Sequence, residues 1–337
     1  VERLDIKKTI YKRLHDSIGA DCIVSSNTST IPIKLLVADM PLAFQQRFAI
    51  THYFNPVRYM RLLELVRGEN TKSSVINKLA DFNDRALGKG VVKCMDTPGF
   101  LGNRVGVFAL QVGIDETLNC GLSIEEADAL MGRPMGIPKT GVFGLYDLIG
   151  IDLMADVVAS LSQILPDGDA FHEVGGDNKL ISSMICSGFT GDKSSGGFYR
   201  NAQDGTKLAL QISKDAETIA LNYTEATKHI PEPVALALKA LASQQEPLKP
   251  LLEGKNKYSR FARRVLARIL AYSASLIPSV TENPQDIDDA MKLGFNWQRG
   301  PFEIMDAIGL ETMHDLLTEA DLEIPEILNS GALFYKV

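Results

Sequence analysis

Closely spaced cysteines are missing from this chain of 337 residues. The four it has, Cys22, Cys94, Cys120 and Cys186, are scattered and form no CxxC pair. That spacing speaks against a disulfide framework or a zinc site and predicts reduced thiols in a cytoplasmic or organellar-matrix protein. No apolar run approaches the roughly 18 residues that span a bilayer, so no membrane span is expected. No basic stripe is present either, and the net charge is −7. That balance argues against nucleic acid or an anionic membrane as the main partner. The opening residues do not read as a secretory signal. Val1 stands where methionine would begin a chain, and no strand precedes the first helix, so an N-terminal truncation is expected.

What is present is ordinary globular composition, 45% hydrophobic and 23% charged, at a length that suits two or three domains. The most informative stretch is 51–68, THYFNPVRYMRLLELVRG. Residues 48–51 are apolar, β-rich and turn-bounded, which predicts a short buried strand. Asn55-Pro56 breaks it, and residues 62–66 form the next strand, closed by Gly68. His52 thus falls at the end of one strand and Glu64 in the adjacent one. Strand ends are where open α/β sheets bind ligands. A histidine is the usual general base near neutral pH. A carboxylate on its second ring nitrogen would fix the tautomer and stabilise the imidazolium. Spacing alone leans to the plainer alternative, a satisfied structural histidine beside a glutamate in an unrelated ion pair.

Taken in order, the chain opens with an amphipathic helix whose apolar face is Leu4, Ile6, Ile10, Leu14 and Ile18, ending near Gly19. A short strand at 22–24 and a polar turn at 25–30 follow. Residues 31–40 predict a helix with Pro32 in its first turn. After the His52 and Glu64 strands, residues 72–87 predict a helix with Val75, Ile76, Leu79, Phe82 and Leu87 on its apolar face, stopped by Gly88. Residues 91–94 are a last strand. Alternation of this kind indicates a parallel α/β sheet. The period changes after Thr97-Pro98-Gly99. Residues 103–120 suit a long buried helix, and Ser123-Ile124-Glu125-Glu126 looks like a capping box opening another.

The helical part occurs twice. Residues 142–152, VFGLYDLIGID, parallel 301–311, PFEIMDAIGLE, so that Asp147 and Gly150 fall on Asp306 and Gly309. Upstream, EADALM at 126–131 parallels DIDDAM at 286–291. Asn103-Arg104-Val105 parallels Arg263-Arg264-Val265. The ends match as Gly197-Phe198-Tyr199-Arg200 and Leu333-Phe334-Tyr335-Lys336. A repeat this long implies two copies of one helical unit that pack together. Between them, residues 201–255 predict connecting loops around one helix at 234–242.

SSNTSTIPI, THYFNPVRYMRLLELV, DTPGFLGNRV, GRPMG, VFGLYDLIGID and GGFYRN occur in that order. As a set they resemble the L-3-hydroxyacyl-CoA dehydrogenases, including the dehydrogenase region of multifunctional fatty-acid oxidation proteins. The resemblance implies a partial Rossmann-like doubly wound α/β domain at 1–96. Two tandem helical domains would follow, at 97–200 and, in degenerate form, at 201–337. It implies reversible oxidation of the 3-hydroxyl of an acyl-CoA thioester by NAD, with His52 as base and Glu64 as its orienting partner. Ser29 matches a serine that touches both cofactor and substrate, against the plain alternative of a turn-stabilising hydroxyl. Asn103 matches an asparagine that helps place the substrate, and its position also suits a helix N-cap. Asn55 matches a cofactor-contacting asparagine, or is simply part of an Asn-Pro turn. Glu2 and Lys7 match residues near the nicotinamide ribose, and from sequence alone they are solvated helix charges. A fused or associated enoyl-CoA hydratase and a homodimer are further implied partners.

Two departures qualify the likeness. The second copy has Arg263 where the first has Asn103, so it looks structural. The family's G-x-G-x-x-G turn, which holds the dinucleotide pyrophosphate on a helix N-terminus, is not found. Gly88-Lys89-Gly90 and Gly196-Gly197 do not fit it. The expectation is a nicotinamide half of the site without its adenosine half. The competing reading is a non-catalytic acyl-CoA-binding or dimerisation module. Dehydrogenases with a lysine base are a third, which the His-Asn-Pro and Asn-Arg motifs do not suit.

Overall fold

Short helices and strands alternate through the front of the chain in the computed structural model, which describes residues 3–212, 221–227, 229–330 and 333–335. Glu2 and Lys336 lie outside the described residues. Helix α1 (Leu4–Ser17) buries Tyr11 and half-buries Leu4, Leu14 and Ile18, while Ile10 of the expected face is exposed. Tyr11 takes that place because its ring packs edge-on against Phe48 and its hydroxyl donates to Ser26 Oγ at 2.9 Å. Strand β1 (Val24–Ser26) begins later than the expected 22–24 strand. The Arg47 guanidinium binds the carbonyls of Gly19 and Cys22 and draws that backbone out of the sheet.

The expected helix at 31–40 is instead two single turns, α2 (Ile33–Leu36) and α3 (Leu42–Gln45). Pro32 and Pro41 stand at the N-caps, and a proline without an N–H starts a turn but cannot continue one. Strands β2 (Phe48–Tyr53) and β3 (Leu62–Arg67) follow, then helix α4 (Ser73–Asp81), a π turn at Phe82–Ala86 and strand β4 (Gly90–Cys94). The π turn re-registers the end of the expected 72–87 helix. It buries Asn83 and leaves Phe82 and Leu87 exposed.

The sheet runs β1-β2-β3-β4. β1/β2 and β3/β4 are parallel, but β2/β3 is antiparallel, where a parallel sheet was expected throughout. The connection over residues 54–61 is too short for a crossover, which needs about a dozen residues. Side chains alternate between faces. Phe48, Ile50, Leu62 and Val66 enter the main core, whereas Ala49 and Leu65 meet Ile76 of α4 on the other side. Helices thus cover both faces. By the same alternation His52 and Glu64 share the main-core face.

Helix α5 (Gly102–Cys120) is the long buried helix expected after Gly99. It leads to α6 (Ile124–Leu130), opened by the Ser123 and Glu126 capping box, then α7 (Phe143–Ile149), α8 (Ile151–Ile164) and α9 (Lys179–Cys186). Next comes a three-stranded antiparallel sheet, β5 (Tyr199–Asn201), β6 (Lys207–Leu210) and β7 (Tyr223–Glu225). With α10 (Glu232–Ala242) and α11 (Leu248–Leu252), it occupies the region expected to be loops around one helix. The second helical set is α12 (Lys257–Ser275), α13 (Pro284–Gly294), α14 (Pro301–Ile308) and α15 (Leu310–Glu319).

The repeat carries its aspartate contacts into both copies, save that Pro301, which has no N–H, stands where Val142 donates. Asp147 accepts the N–H groups of Phe198 and Tyr199, and Asp306 accepts those of Phe334 and Tyr335. Asp128 accepts the N–H groups of Val142, Phe143 and Gly144 and the hydroxyl of Tyr199. Asp288 does the same with Phe302, Glu303 and Tyr335. Among the described residues no helix is long and apolar enough to cross a membrane.

Candidate active site

His52 and Glu64 face each other directly in the antiparallel register of β2 and β3. Directly opposed residues bring their Cβ atoms within about 5 Å, so the pairing alone puts ring against carboxylate. His52 Nδ1 lies 2.5 Å from Glu64 Oε2. The other carboxylate oxygen, Oε1, accepts the N–H groups of Leu101 at 2.9 Å and Gly102 at 2.7 Å. These amides open α5, where a helix leaves its N–H groups unpaired and carries a positive dipole end. Glu64 is fully buried and His52 is 7% exposed. The Glu64 carboxylate offers acceptors only, so Nδ1 carries the ring proton and Nε2 presents its lone pair. Among the described residues Nε2 makes no hydrogen bond.

Aromatic rings wall the imidazole. Phe54 stands 4.8 Å and Phe100 5.9 Å from it, centroid to centroid. Helix α5 comes this close only because position 102 is glycine: a Cβ there would sit 2.5 Å from Phe54 Cζ. Cys94 on β4 does not compete as a nucleophile. Burial, followed by the charges of Glu64 and Asp286, pushes its thiol well up.

The other expected residues divide. Ser29 is half-buried in the turn after β1. That turn is pinned to the end of β2 by Asn27 Oδ1, which accepts the Tyr53 N–H at 2.9 Å. Asn55 is exposed in the connection that leaves β2. Both therefore lie at the carboxyl ends of β1 and β2, beside His52. Asn103 is the second residue of α5, next to the Gly102 amide that holds Glu64. The N-cap expected of it falls instead on Leu101, with no side-chain bond. Among the described residues the Asn103 amide side chain has no hydrogen-bond partner. Lys7 is half-buried on α1, one turn before the Tyr11 that reaches Ser26. Among the described residues no hydrogen bond joins Lys7 to the histidine pair. The Leu101 and Gly102 amides and the two phenylalanines were not anticipated. Phe54 stands in the THYFNP stretch beside the histidine, and Phe100, Leu101 and Gly102 stand in DTPGFLGNRV, a segment read for its turn and its asparagine.

Two family descriptions match the chain. "3-hydroxyacyl-CoA dehydrogenase, NAD binding domain" covers residues 1–97. "3-hydroxyacyl-CoA dehydrogenase, C-terminal domain" covers residues 99–201 and 261–329. The chain is 36% identical over 322 residues to a Rickettsia prowazekii protein provisionally named fatty acid oxidation complex trifunctional enzyme. That match takes in 96% of this chain and 43% of the Rickettsia protein. A Bacillus subtilis protein provisionally named 3-hydroxyacyl-CoA dehydrogenase is 32% identical over 335 residues, 98% of this chain and 41% of that protein. The chain thus spans less than half the length of these relatives. The crystal structure of 3-hydroxybutyryl-CoA dehydrogenase from Escherichia coli K12 matches with a TM-score of 0.66 over 98% of this chain and 79% of that one. At 20% identity that likeness speaks for the fold.

Proposed function

The chain belongs to the 3-hydroxyacyl-CoA dehydrogenase family, and on that premise we propose that it oxidises the 3-hydroxyl of an L-3-hydroxyacyl-CoA thioester with NAD. The observation that carries the proposal is the His52–Glu64 pair, opposed on two strands and held by the first amides of α5. Nε2 of His52 takes the hydroxyl proton. Glu64 steadies the imidazolium that forms and holds the ring in the useful tautomer. Asn103 and Ser29 place the substrate oxygen. The polar groups at the ends of β1 and β2, beside a bare Nε2, fit the nicotinamide end of the cofactor. We assign Ser29, Asn55, Lys7 and Glu2 to hold it. NAD held there would supply the hydride acceptor for the substrate carbon. The aromatic wall keeps water from the imidazole.

The same reading takes 1–96 as the cofactor domain, 97–200 as the helical domain that supplies Asn103, and 201–337 as its degenerate copy. The reading includes a fused or associated enoyl-CoA hydratase, which the trifunctional name of the Rickettsia relative supports. Homodimer formation and a cytoplasmic setting complete it, the latter supported by four free cysteines. NADH formation from L-3-hydroxybutyryl-CoA tests the proposal, with the D isomer as control. Turnover of the L isomer alone is expected. No turnover of either, in the full encoded polypeptide, contradicts it.

A further inference from the structure

Lys89 is buried, 7% exposed, and among the described residues no carboxylate pairs with it. Its ammonium donates to the main-chain carbonyl of Val57 and, at 2.7 Å, to that of Met60. A cation taken out of water at this depth must be held by hydrogen bonds, and charge-assisted bonds are the strong ones. Both carbonyls belong to the connection over residues 54–61, which leaves β2 after Tyr53, one residue past His52, and carries Asn55. That connection buries little of itself: Val57, Arg58, Tyr59 and Arg61 are exposed, Tyr59 to 75%. Phe54 anchors its start beside His52. The Tyr59 and Met60 N–H groups close on the Pro56 carbonyl at 2.9 and 3.0 Å, so beyond Phe54 the hold on the rest of the protein comes largely through main-chain carbonyls. Besides the two Lys89 bonds, the Gly90 N–H donates to the Arg61 carbonyl at 2.8 Å.

The rest of the Gly88-Lys89-Gly90 segment serves the same end. Gly88 takes a positive φ of 65° as the chain leaves the π turn. The π turn buries Asn83, whose Oδ1 accepts the Tyr53 hydroxyl at 2.5 Å and whose carbonyl accepts the Lys89 N–H at 3.0 Å. Tyr53 is the neighbour of His52 in β2. One unit, residues 83–90, thus grips the strand just after the histidine and the connection beyond it.

We propose that Lys89, backed by Asn83, is a positioning residue that fixes the Asn55-bearing connection so that the cofactor's nicotinamide end meets a preset surface beside His52. This rests on the dehydrogenase reading. It gives a Gly-Lys-Gly segment that fits no phosphate loop a task in the same site. Lys89 touches neither substrate nor cofactor; it acts through the carbonyls it holds.

The test joins two readouts on Lys89→Met, which keeps the apolar stem and removes the donors, and on Lys89→Arg, which can still donate to both carbonyls. The first is trypsin cleavage after Arg58 and Arg61, which reports the order of the connection whatever the activity. Lys89→Met is expected to be cut there about tenfold faster than wild type, with Tm little changed and Lys89→Arg close to wild type. The second is steady-state kinetics. In Lys89→Met the KM for NAD is expected to rise about tenfold while the KM for the acyl-CoA stays near wild type. Should Lys89→Met not fold, Asn83→Ser must show the same split. Unchanged cleavage, or looser cleavage with both KM values unchanged, overturns the inference. A wild type that does not turn over contradicts the dehydrogenase reading itself, a result distinct from an active wild type matched by its Lys89→Met variant.

Discussion

Glu64 holds three donors at once, the His52 ring and two helix amides, and this sets what each substitution there will do. A glutamine can still accept both amides, but its NH2 group donates to Nδ1 and forces the ring proton onto Nε2, which then cannot act as a base. Glu64→Gln is expected to lower kcat by about 10² to 10⁴ with only a small loss of Tm. Glu64→Ala also orphans the Leu101 and Gly102 amides, at roughly 1–3 kcal/mol for each buried donor. Denaturant unfolding of the two variants separates the effects: equal stabilities would show that the amide bonds contribute nothing. The two adjacent strands were legible in sequence, because both residues sit in short apolar runs on either side of a turn. Spacing alone leaned to an unrelated ion pair, however, and the pairing rested on the family resemblance. The amides were not legible, since a backbone N–H has no letter of its own and its partner lies 37 positions away for Leu101. Asn103 shows the opposite error: an asparagine near a helix start reads as a cap, and here the helix begins one residue before it.

Among elements, the close approach of α5 to the sheet decides the site. Gly102→Ala drives a methyl toward the Phe54 ring and, behind it, Leu62. The variant is expected to fold and to lose about tenfold or more in kcat/KM, because the ring beside His52 must move. Unchanged kinetics with a well-folded variant would show that Phe54 is free to shift. The paired aspartates set a pH dependence. Burial, against the N–H and phenol bonds it accepts, pushes the Asp128 carboxyl up to about 7, and Asp147 and Asp288 likewise up to about 6. With folded values above the unfolded ones, the folded state holds more protons between about pH 4 and 7. The stability so added is complete below about pH 4 and is lost as pH rises through 6 to 7. The destabilisation by Asp288→Asn is therefore expected to be about 1 kcal/mol larger at pH 5.5 than at pH 8. An equal penalty at both would show no such shift. Period and turn signals placed most of these elements. They failed at 31–40, where Pro32 and Pro41 each start a separate turn, and at 82–87, where a π turn overrides helical spacing.

At the scale of the whole molecule, the two helical sets meet through α5 and α12, which run antiparallel. Near one end Phe108 stacks on Tyr272 at 4.0 Å, and Arg104, bound to Asp169, also reaches the Tyr272 hydroxyl. Near the other, fully buried Glu116 takes Arg264 and Arg268, at 2.5 and 2.9 Å. Glu116→Ala leaves Arg268 largely buried with only its outer partners and is expected to cost about 3 kcal/mol in denaturant unfolding. A loss near zero would place the hold between the sets in their apolar contacts alone. The repeat itself was visible in Asp147 and Asp306 and the glycines after them. Which donors those carboxylates capture became visible only in three dimensions.

Proton transfer by the strand-paired histidine is the centre of this account, and hydride transfer reports it most directly. The measurement is NADH oxidation with acetoacetyl-CoA by the full encoded polypeptide, beside a His52→Ala variant of matched Tm. Wild type is expected to turn over and the variant to lose about 10³-fold or more in kcat, with little change in acyl-CoA binding. Equal turnover by the two would place the base elsewhere and contradict the assignment of His52 and Glu64.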